Sequence, residues 1–503
     1  MESLHYLMIG FDAILTPTNM LWIFIGGLAG SIIGMLPGLG PATGVAVLIP
    51  LTYGMNPTTA LITMAAIYYG AMFGGSRASI MINTPGDASA IATCFDGYPM
   101  TKNGEAGKAL AISAIASFVG GTISVIFLVF LTLPVANFAL RFGPAEMFAL
   151  VFFALTATVT LSQGNLLKGF ISLAFGFMLS SIGIDPQTGL IRFTLGITAL
   201  QDGIDFLVAM IGLYAVAEVF KNFASLNNEI KVGSSEIGKV MISRKEFKSC
   251  IKPMLRSSPL GFVVGVLPGM GASIGSMMSY SLEQQLNKDP KKFGKGAIEG
   301  VAAPEAANNA AASGALIPLL TMGIPGSGTT AVMLGALIML GVKPGPMLFQ
   351  QHPEIAWGVI ASIIVGNIFM IIINLPLVIP LVKILNVPRR ILLPMILGLG
   401  FLGTYLLNYS GFDFLLLSMF GFAGYAMSKL DIPIPPMVLA LILGSSTEQS
   451  FRRALSISQG DPMIFLQKPI SLVLIILAVL SLVYSITRET KHRKQDKKTA
   501  LGA

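Results

Sequence analysis

This sequence predicts an all-α polytopic membrane fold, and three observations point to it. Only 11% of its 503 residues are charged, against about 25% in ordinary soluble domains. The apolar share is 54% and the mean hydropathy is +0.77, too greasy for a surface that faces water all round. The charges are also clumped, in 221–256, 281–299 and 488–498, leaving long runs fit to dissolve in lipid. About 11–14 transmembrane segments are expected.

Apolar runs of about 20 residues, bounded by polar or Pro/Gly breaks, mark those segments. They lie near 20–36, 58–82, 108–133, 144–162, 165–184 and 203–220, then near 257–280, 313–342, 354–386, 390–409, 411–428, 434–446 and 469–487. The first 76 residues contain no Lys or Arg, so the basic region of a cleavable signal peptide is not expected. The charges Glu146, Asp185, Arg192, Glu218 and Arg452 sit at span ends and read as interfacial.

Orientation follows from the basic residues. Before Met20 stand Glu2 and Asp12 and no base. The loop 221–256 carries Lys221, Lys231, Lys239, Arg244, Lys245, Lys248, Lys252 and Arg256, and the tail carries Arg488, Lys491, Arg493, Lys494, Lys497 and Lys498. The positive-inside rule places the N-terminus outside and the loop and C-terminus in the cytoplasm. The net charge of +8 therefore reads as an orientation signal, with no nucleic-acid partner.

Several chemistries fall away. Two cysteines, Cys94 and Cys250, make neither a disulfide framework nor a zinc cluster, and His5, His352 and His492 are scattered. There is no phosphate loop and no H-E-x-x-H motif. Neither a cofactor nor an enzymatic activity is expected.

The two halves repeat. Gly30-Ser-Ile-Ile-Gly-Met-Leu-Pro-Gly-Leu-Gly-Pro-Ala-Thr-Gly44 aligns with Gly261-Phe-Val-Val-Gly-Val-Leu-Pro-Gly-Met-Gly-Ala-Ser-Ile-Gly275, identical at seven of fifteen positions. A second Pro-Gly follows in each half, Asn83-Thr-Pro-Gly86 and Gly323-Ile-Pro-Gly326. One copy starts outside and the other follows a cytoplasmic loop, so the copies are expected to be inverted, a common construction of secondary transporters. The expected organisation is a periplasmic segment 1–19, a first repeat 20–220, the basic loop 221–256, a second repeat 257–468, an extra helix 469–487 and a cytoplasmic tail 488–503.

Pro-Gly in mid-membrane points to a binding site. Pro removes a backbone hydrogen bond and Gly admits conformations other residues avoid. Hydrocarbon cannot satisfy the freed groups, so such a break must be buried in protein or line a wet cavity. Broken helices or re-entrant hairpins are therefore expected at both motifs. Half-helix N-termini suit a carboxylate, and unwound carbonyls suit Na⁺. The substrate candidates are Gly38, Gly40, Arg77, Asn83, Thr84, Gly86, Gly269, Gly271, Ser273, Gly326 and Ser327. The ion candidates, tentatively for Na⁺, are Pro37, Pro268, Glu305, Asn308 and Asn309, the last three sharing one helix face. Arg77 either clamps a substrate carboxylate or pairs with Asp87 or Glu305.

These motifs closely resemble the large membrane subunit of the tripartite tricarboxylate transporter family, the TctA type. The resemblance runs through Gly34-Met-Leu-Pro-Gly-Leu-Gly-Pro41, Gly74-Gly-Ser76, Asn83-Thr-Pro-Gly86 and Asp96-Gly-Tyr-Pro-Met100. It continues through Gly183-Ile-Asp-Pro186, Arg192-Phe-Thr-Leu-Gly196, Pro268-Gly-Met-Gly271, Glu305-Ala-Ala-Asn-Asn-Ala310 and Gly323-Ile-Pro-Gly326. It implies a bacterial inner-membrane protein that works with two partners, a small membrane subunit of about four spans and a periplasmic solute-binding protein. It further implies uptake of small di- or tricarboxylates such as citrate, driven by an ion gradient, typically Na⁺ and alternatively H⁺.

Overall fold

The computed structural model describes residues 2–36, 38–161, 166–224, 237–269, 271–387 and 389–501. Helices dominate, and the one sheet among the described residues pairs Gly183–Ile184 with Ile191–Arg192. Among the described residues, six helices are long and apolar enough to cross a membrane: Pro17–Met35, Ala106–Ala139, Phe206–Phe223, Pro353–Asn374, Arg390–Asn408 and Pro469–Thr487. Shorter apolar helices include Pro144–Thr160, Leu166–Ser180 and Gly328–Met339. The protein is an all-α, multi-pass membrane protein.

Each P-G-x-G motif makes the tip of a hairpin. The first arm, Pro17–Met35, starts at Thr16, whose side chain accepts from the Asn19 amide. It ends at Leu36, which is extended (φ −77°, ψ 118°), as a residue before proline prefers. Leu267, before Pro268, ends Arg244–Val266 in the same way (φ −80°, ψ 122°). Gly38 and Gly269 then take φ of +85° and +80°, and Gly40 and Gly271 take +46° and +58°, values that favour glycine. Return arms begin there, Gly40–Leu48 and Gly271–Leu286.

Both segments fold back on themselves. In the second, Ser257 and Ser279 hydroxyls meet at 2.5 Å, and Arg256 pairs with Glu283 at 2.7 Å. Both pairs straddle the tip. In the first, a side chain on Gly44 would touch Ile33. The Thr59 hydroxyl also donates to Asn19 at 2.7 Å, so the chain has returned to the level where the hairpin began.

The outer arm of each hairpin lies flush on a buried helix. A Cβ on Gly30 or Gly34 would come within 2.1 or 2.2 Å of the Ile67 or Ala71 carbonyl oxygen. A Cβ on Gly261 or Gly265 would come equally close to the carbonyls of Ala307 and Ala311. The constant offset within each pair makes the packed helices parallel, Pro17–Met35 with Pro57–Ile82 and Arg244–Val266 with Ile298–Gly314. Small residues allow such approach where lipid supplies no hydrophobic drive.

The Ala106–Ala139 helix fixes the relative direction of the two systems. Its Ser117 and Ser124 reach Glu305 and Ser313 at 3.1 and 2.8 Å, a parallel register. Against Pro57–Ile82 the register is reversed: Ser76 meets Ser113, while Tyr69 meets Ser313 beside Ser124. The two hairpins therefore enter the structure in opposite directions.

Some expected boundaries move. The basic loop was expected to reach 256, but a helix starts at Arg244 because Ser243 and Glu246 form a capping box. The expected segment 313–342 holds two helices, Leu316–Met322 and Gly328–Met339, divided at the Gly323–Gly326 turn, and begins on the last residues of Ile298–Gly314. The final span continues as one helix, Pro469–Leu501.

Candidate functional site

The second Pro-Gly of each half returns the chain to its hairpin tip. Pro57–Ile82 ends at Asn83 (φ +52°) and Leu316–Met322 ends at Gly323 (φ +69°), both left-handed. The chain then doubles back, and Gly38 N–H donates to the Gly86 carbonyl while Gly269 N–H donates to the Gly326 carbonyl, each at 3.2 Å. The residues after these turns, Asp87 and Ser327, share an extended conformation (φ −146° and −152°) and lead into new helical segments.

Both tips, the first Pro-Gly turn and Ser327, the residue after the second, line one cavity of about 660 Å³. Of the expected substrate residues, Gly38, Gly40, Gly86, Gly269, Gly271, Ser273 and Ser327 line it. Gly326 lies just behind, holding Gly269 through its carbonyl. Three helix starts face the space: Gly40–Leu48, Gly271–Leu286 and Gly328–Met339. Their leading amides have no partner within the helix, which suits an anion.

Other spans close the cavity. A Cβ on Gly38 would lie 2.2 Å from Glu218 Oε1, and one on Gly269 would lie 2.4 Å from the Thr158 Cα. Each tip therefore presses on a different helix, Phe206–Phe223 and Pro144–Leu161. Tyr68, Asp87, Tyr214, Lys221 and Pro433 add to the wall. Glu218 accepts from Asn222 at 2.8 Å and faces Lys221 at 3.5 Å. Glu218 was expected at an interface, yet its carboxylate covers the first tip, because the helix runs through to Phe223 and carries this face along the cavity.

The remaining candidates lie elsewhere. Asn83 is exposed and terminates its helix, and the Thr84 hydroxyl donates to the Ile82 carbonyl; neither lines the cavity. Their turn faces away because the chain must reverse before Gly86 can reach the tip. Arg77 is buried and also outside the cavity wall. Its Nε and Nη1 have no hydrogen-bond partner, and no ion pair joins it to Asp87 or Glu305 among the described residues.

The ion candidates divide in two. Pro268 stands at the second tip, and Pro37 lies outside the described residues. Glu305, Asn308 and Asn309 are fully buried within helix packing, away from the cavity wall. Glu305 accepts from Thr93 and Ser117 at 2.5 and 3.1 Å, and Asn309 donates to Asn308 at 2.6 Å. Asn308 Nδ2 and Asn309 Oδ1 are unpartnered. No cluster of three or more His, Cys, Asp or Glu side chains with metal-site geometry occurs among the described residues.

A membrane-embedded helical scaffold whose two opposed hairpins share one cavity defines the class, a multi-pass membrane protein of the transporter type. Residues 20–439 match the tripartite tricarboxylate transporter TctA family, and the chain belongs to that family. It is 39% identical over 494 residues to an uncharacterized 52.8 kDa protein in the TAR-I ttuC' 3'region of Agrobacterium vitis, covering 98% of each chain. A second relative, an uncharacterized protein in the TAR-II ttuC' 3'region of the same organism, is 43% identical over 234 residues, 46% of this chain and 97% of that one. No solved structure matches.

Proposed function

We propose that this chain is the translocation subunit of an ion-gradient-driven uptake system for small carboxylates, in the bacterial inner membrane. Substrate arrives from a periplasmic binding protein, and a small membrane subunit of about four spans completes the assembly. The halves 20–220 and 257–468 act as inverted repeats, with the N-terminus periplasmic and the basic loop and C-terminus cytoplasmic. The observation that carries this reading is the convergence of both glycine tips on one cavity, with the first Pro-Gly turn and Ser327 in its wall.

The charge of the cavity wall favours a coupling cation. Asp87 and Glu218 are acids, and Lys221 is the base among the residues lining it. A di- or tricarboxylate entering such a wall is not neutralised by protein charge, and burying unpaired charge is costly. A cation entering with the substrate removes that penalty, and we take it to be Na⁺, held by tip carbonyls. Proton coupling is a second reading, favoured by the fully buried carboxyl of Glu305.

The test is citrate uptake into proteoliposomes containing the complete three-component system. Accumulation should follow an imposed Na⁺ gradient and fall at least about tenfold without one, a difference of about 1.4 kcal/mol. Uptake that ignores Na⁺ and follows a pH gradient would move the coupling to Glu305. The absence of carboxylate uptake under either gradient would reject the proposal.

A further inference from the structure

The second hairpin stands on a basic foot. Its outer arm, Arg244–Val266, opens with Arg244, Lys245, Lys248, Lys252 and Arg256. The nearby acids are taken: Glu246 pairs with Lys108 at 2.9 Å and Glu283 with Arg256 at 2.7 Å. Lys245, Lys248 and Lys252 make no ion pair among the described residues. The matching arm of the first hairpin, Pro17–Met35, carries no charged residue, so the hairpin construction does not itself call for one.

These three lysines share a face. Lys245, Lys248, Lys252, Leu255, Pro259 and Val263 follow one another at intervals of three and four, which stacks them along one side of a helix. The lysines are exposed, and Leu255 and Val263 are 53% and 60% exposed. The opposite side, with Cys250, Met254, Ser257, Gly261 and Gly265, is buried, and its glycines seat on Ile298–Gly314.

The exposed face changes chemistry partway along. Lysines hold it as far as Lys252, and Leu255, Pro259 and Val263 continue it towards the tip. At 1.5 Å per residue, Lys252 lies about 21 Å and Leu255 about 17 Å from Val266. Half a bilayer is about 15 Å of hydrocarbon and about 20–22 Å with its headgroups. A tip at mid-membrane therefore sets Lys252 among the headgroups and Val263 against acyl chains. An orientation signal needs bases at this end of the arm, but it does not need them aligned with a bare apolar stripe.

We infer that Lys245, Lys248 and Lys252 bind the headgroup of an anionic phospholipid, whose acyl chains lie along Leu255 and Val263. The lipid phosphate meets ammonium donors with no acid on the same face, a complementary arrangement of charge. The lysine stems add apolar contact below their charged ends. The bound lipid ties the foot of the second hairpin to the membrane surface.

The test uses the full chain in nanodiscs of phosphatidylcholine and phosphatidylglycerol in equal parts, with a bimane on Leu255→Cys. The native cysteines, Cys94 and Cys250, are buried and stay unlabelled. Bromine on the acyl chains of one lipid at a time quenches the bimane, and the ratio of the two signals measures preference. Phosphatidylglycerol should be preferred about fivefold, the effect of about one lysine beside an anionic surface. Combining Lys245→Gln, Lys248→Gln and Lys252→Gln should bring the lipids to parity while both still quench. Salt at about 1 M should do the same without any lysine substitution, by screening. Parity with all three lysines present, or a preference that survives their replacement, would overturn the site. Failure of both lipids to quench would show that protein covers this face, and would overturn it equally.

Discussion

Replacing Gly269 by alanine separates a steric demand from a conformational one. A Cβ at Gly269 would stand 2.4 Å from the Thr158 Cα and 2.7 Å from its hydroxyl. Carbon atoms pack comfortably at about 3.5 Å, so the tip and the Pro144–Leu161 helix would have to part by about 1 Å. Gly271 provides the control, with φ also positive at +58° and nothing within 4 Å of a Cβ. Both substitutions carry the left-handed penalty of about 1–2 kcal/mol, and only Gly269→Ala adds the clash. A misplacement of about 1 Å in a positioned site costs about 100-fold. Uptake into proteoliposomes, normalised to inserted protein, should fall about 100-fold for Gly269→Ala and stay within about tenfold of wild type for Gly271→Ala. Thr158→Ala should not rescue the first, because the Cα that blocks it remains. Full transport by Gly269→Ala, or rescue by Thr158→Ala, would refute the reasoning.

Two further outcomes follow from other contacts. Gly265→Leu would drive a side chain into the Ala311 carbonyl, 2.2 Å from a Cβ, and overpacking costs about 1–3 kcal/mol or more; a clear loss of thermal stability in detergent is expected, and an unchanged Tm would contradict the packing described. The backbone amide of Gln187 and the Arg452 guanidinium hold the Asp185 carboxyl down to about 2. With the folded value below the ordinary one of about 4, the stabilisation is present above that range and is lost as pH falls towards 2. A nitroxide on Cys introduced at Leu195, which is 90% exposed, should be more mobile in Asp185→Asn at pH 7, and acid should bring the native loop to the same mobility. Equal mobility at pH 7 would show that the ion pair does not order this loop.

The hairpin tips were legible because their constraints are local. Leu-Pro-Gly-x-Gly dictates an extended residue, a proline and two positive φ angles whatever surrounds it, and the second copy repeated the instruction. The helical class was equally readable from composition. The cavity wall was not. Thr158, Tyr214, Glu218 and Lys221 reach the site because two other spans pack against the tips, and nothing near them in the chain signals that.

Asn83 carries a conformational signal rather than a chemical one. It aligns with Gly323 in the repeat, and both hold left-handed conformations at helix ends. Asn and Gly favour that conformation, so the substitution pattern marked a stop rather than a ligand. Arg77 was conspicuous for its cost in a membrane, yet neither expected acid pairs with it. The fully buried Glu305 group is visibly polar and clustered in the sequence, but its separation from the cavity depends on how Ala106–Ala139 crosses between the halves.

The glycine seams have a mechanical consequence. At Gly34 against Ala71 and Gly265 against Ala311, peptide backbones touch with no side chains between them, so no compliant layer lets one arm swing while its neighbour stays still. Each loop tip and its companion rod must travel as a single solid piece. At the first tip, by contrast, the join to the neighbouring span runs through the Glu218 side chain, a softer contact than these seams.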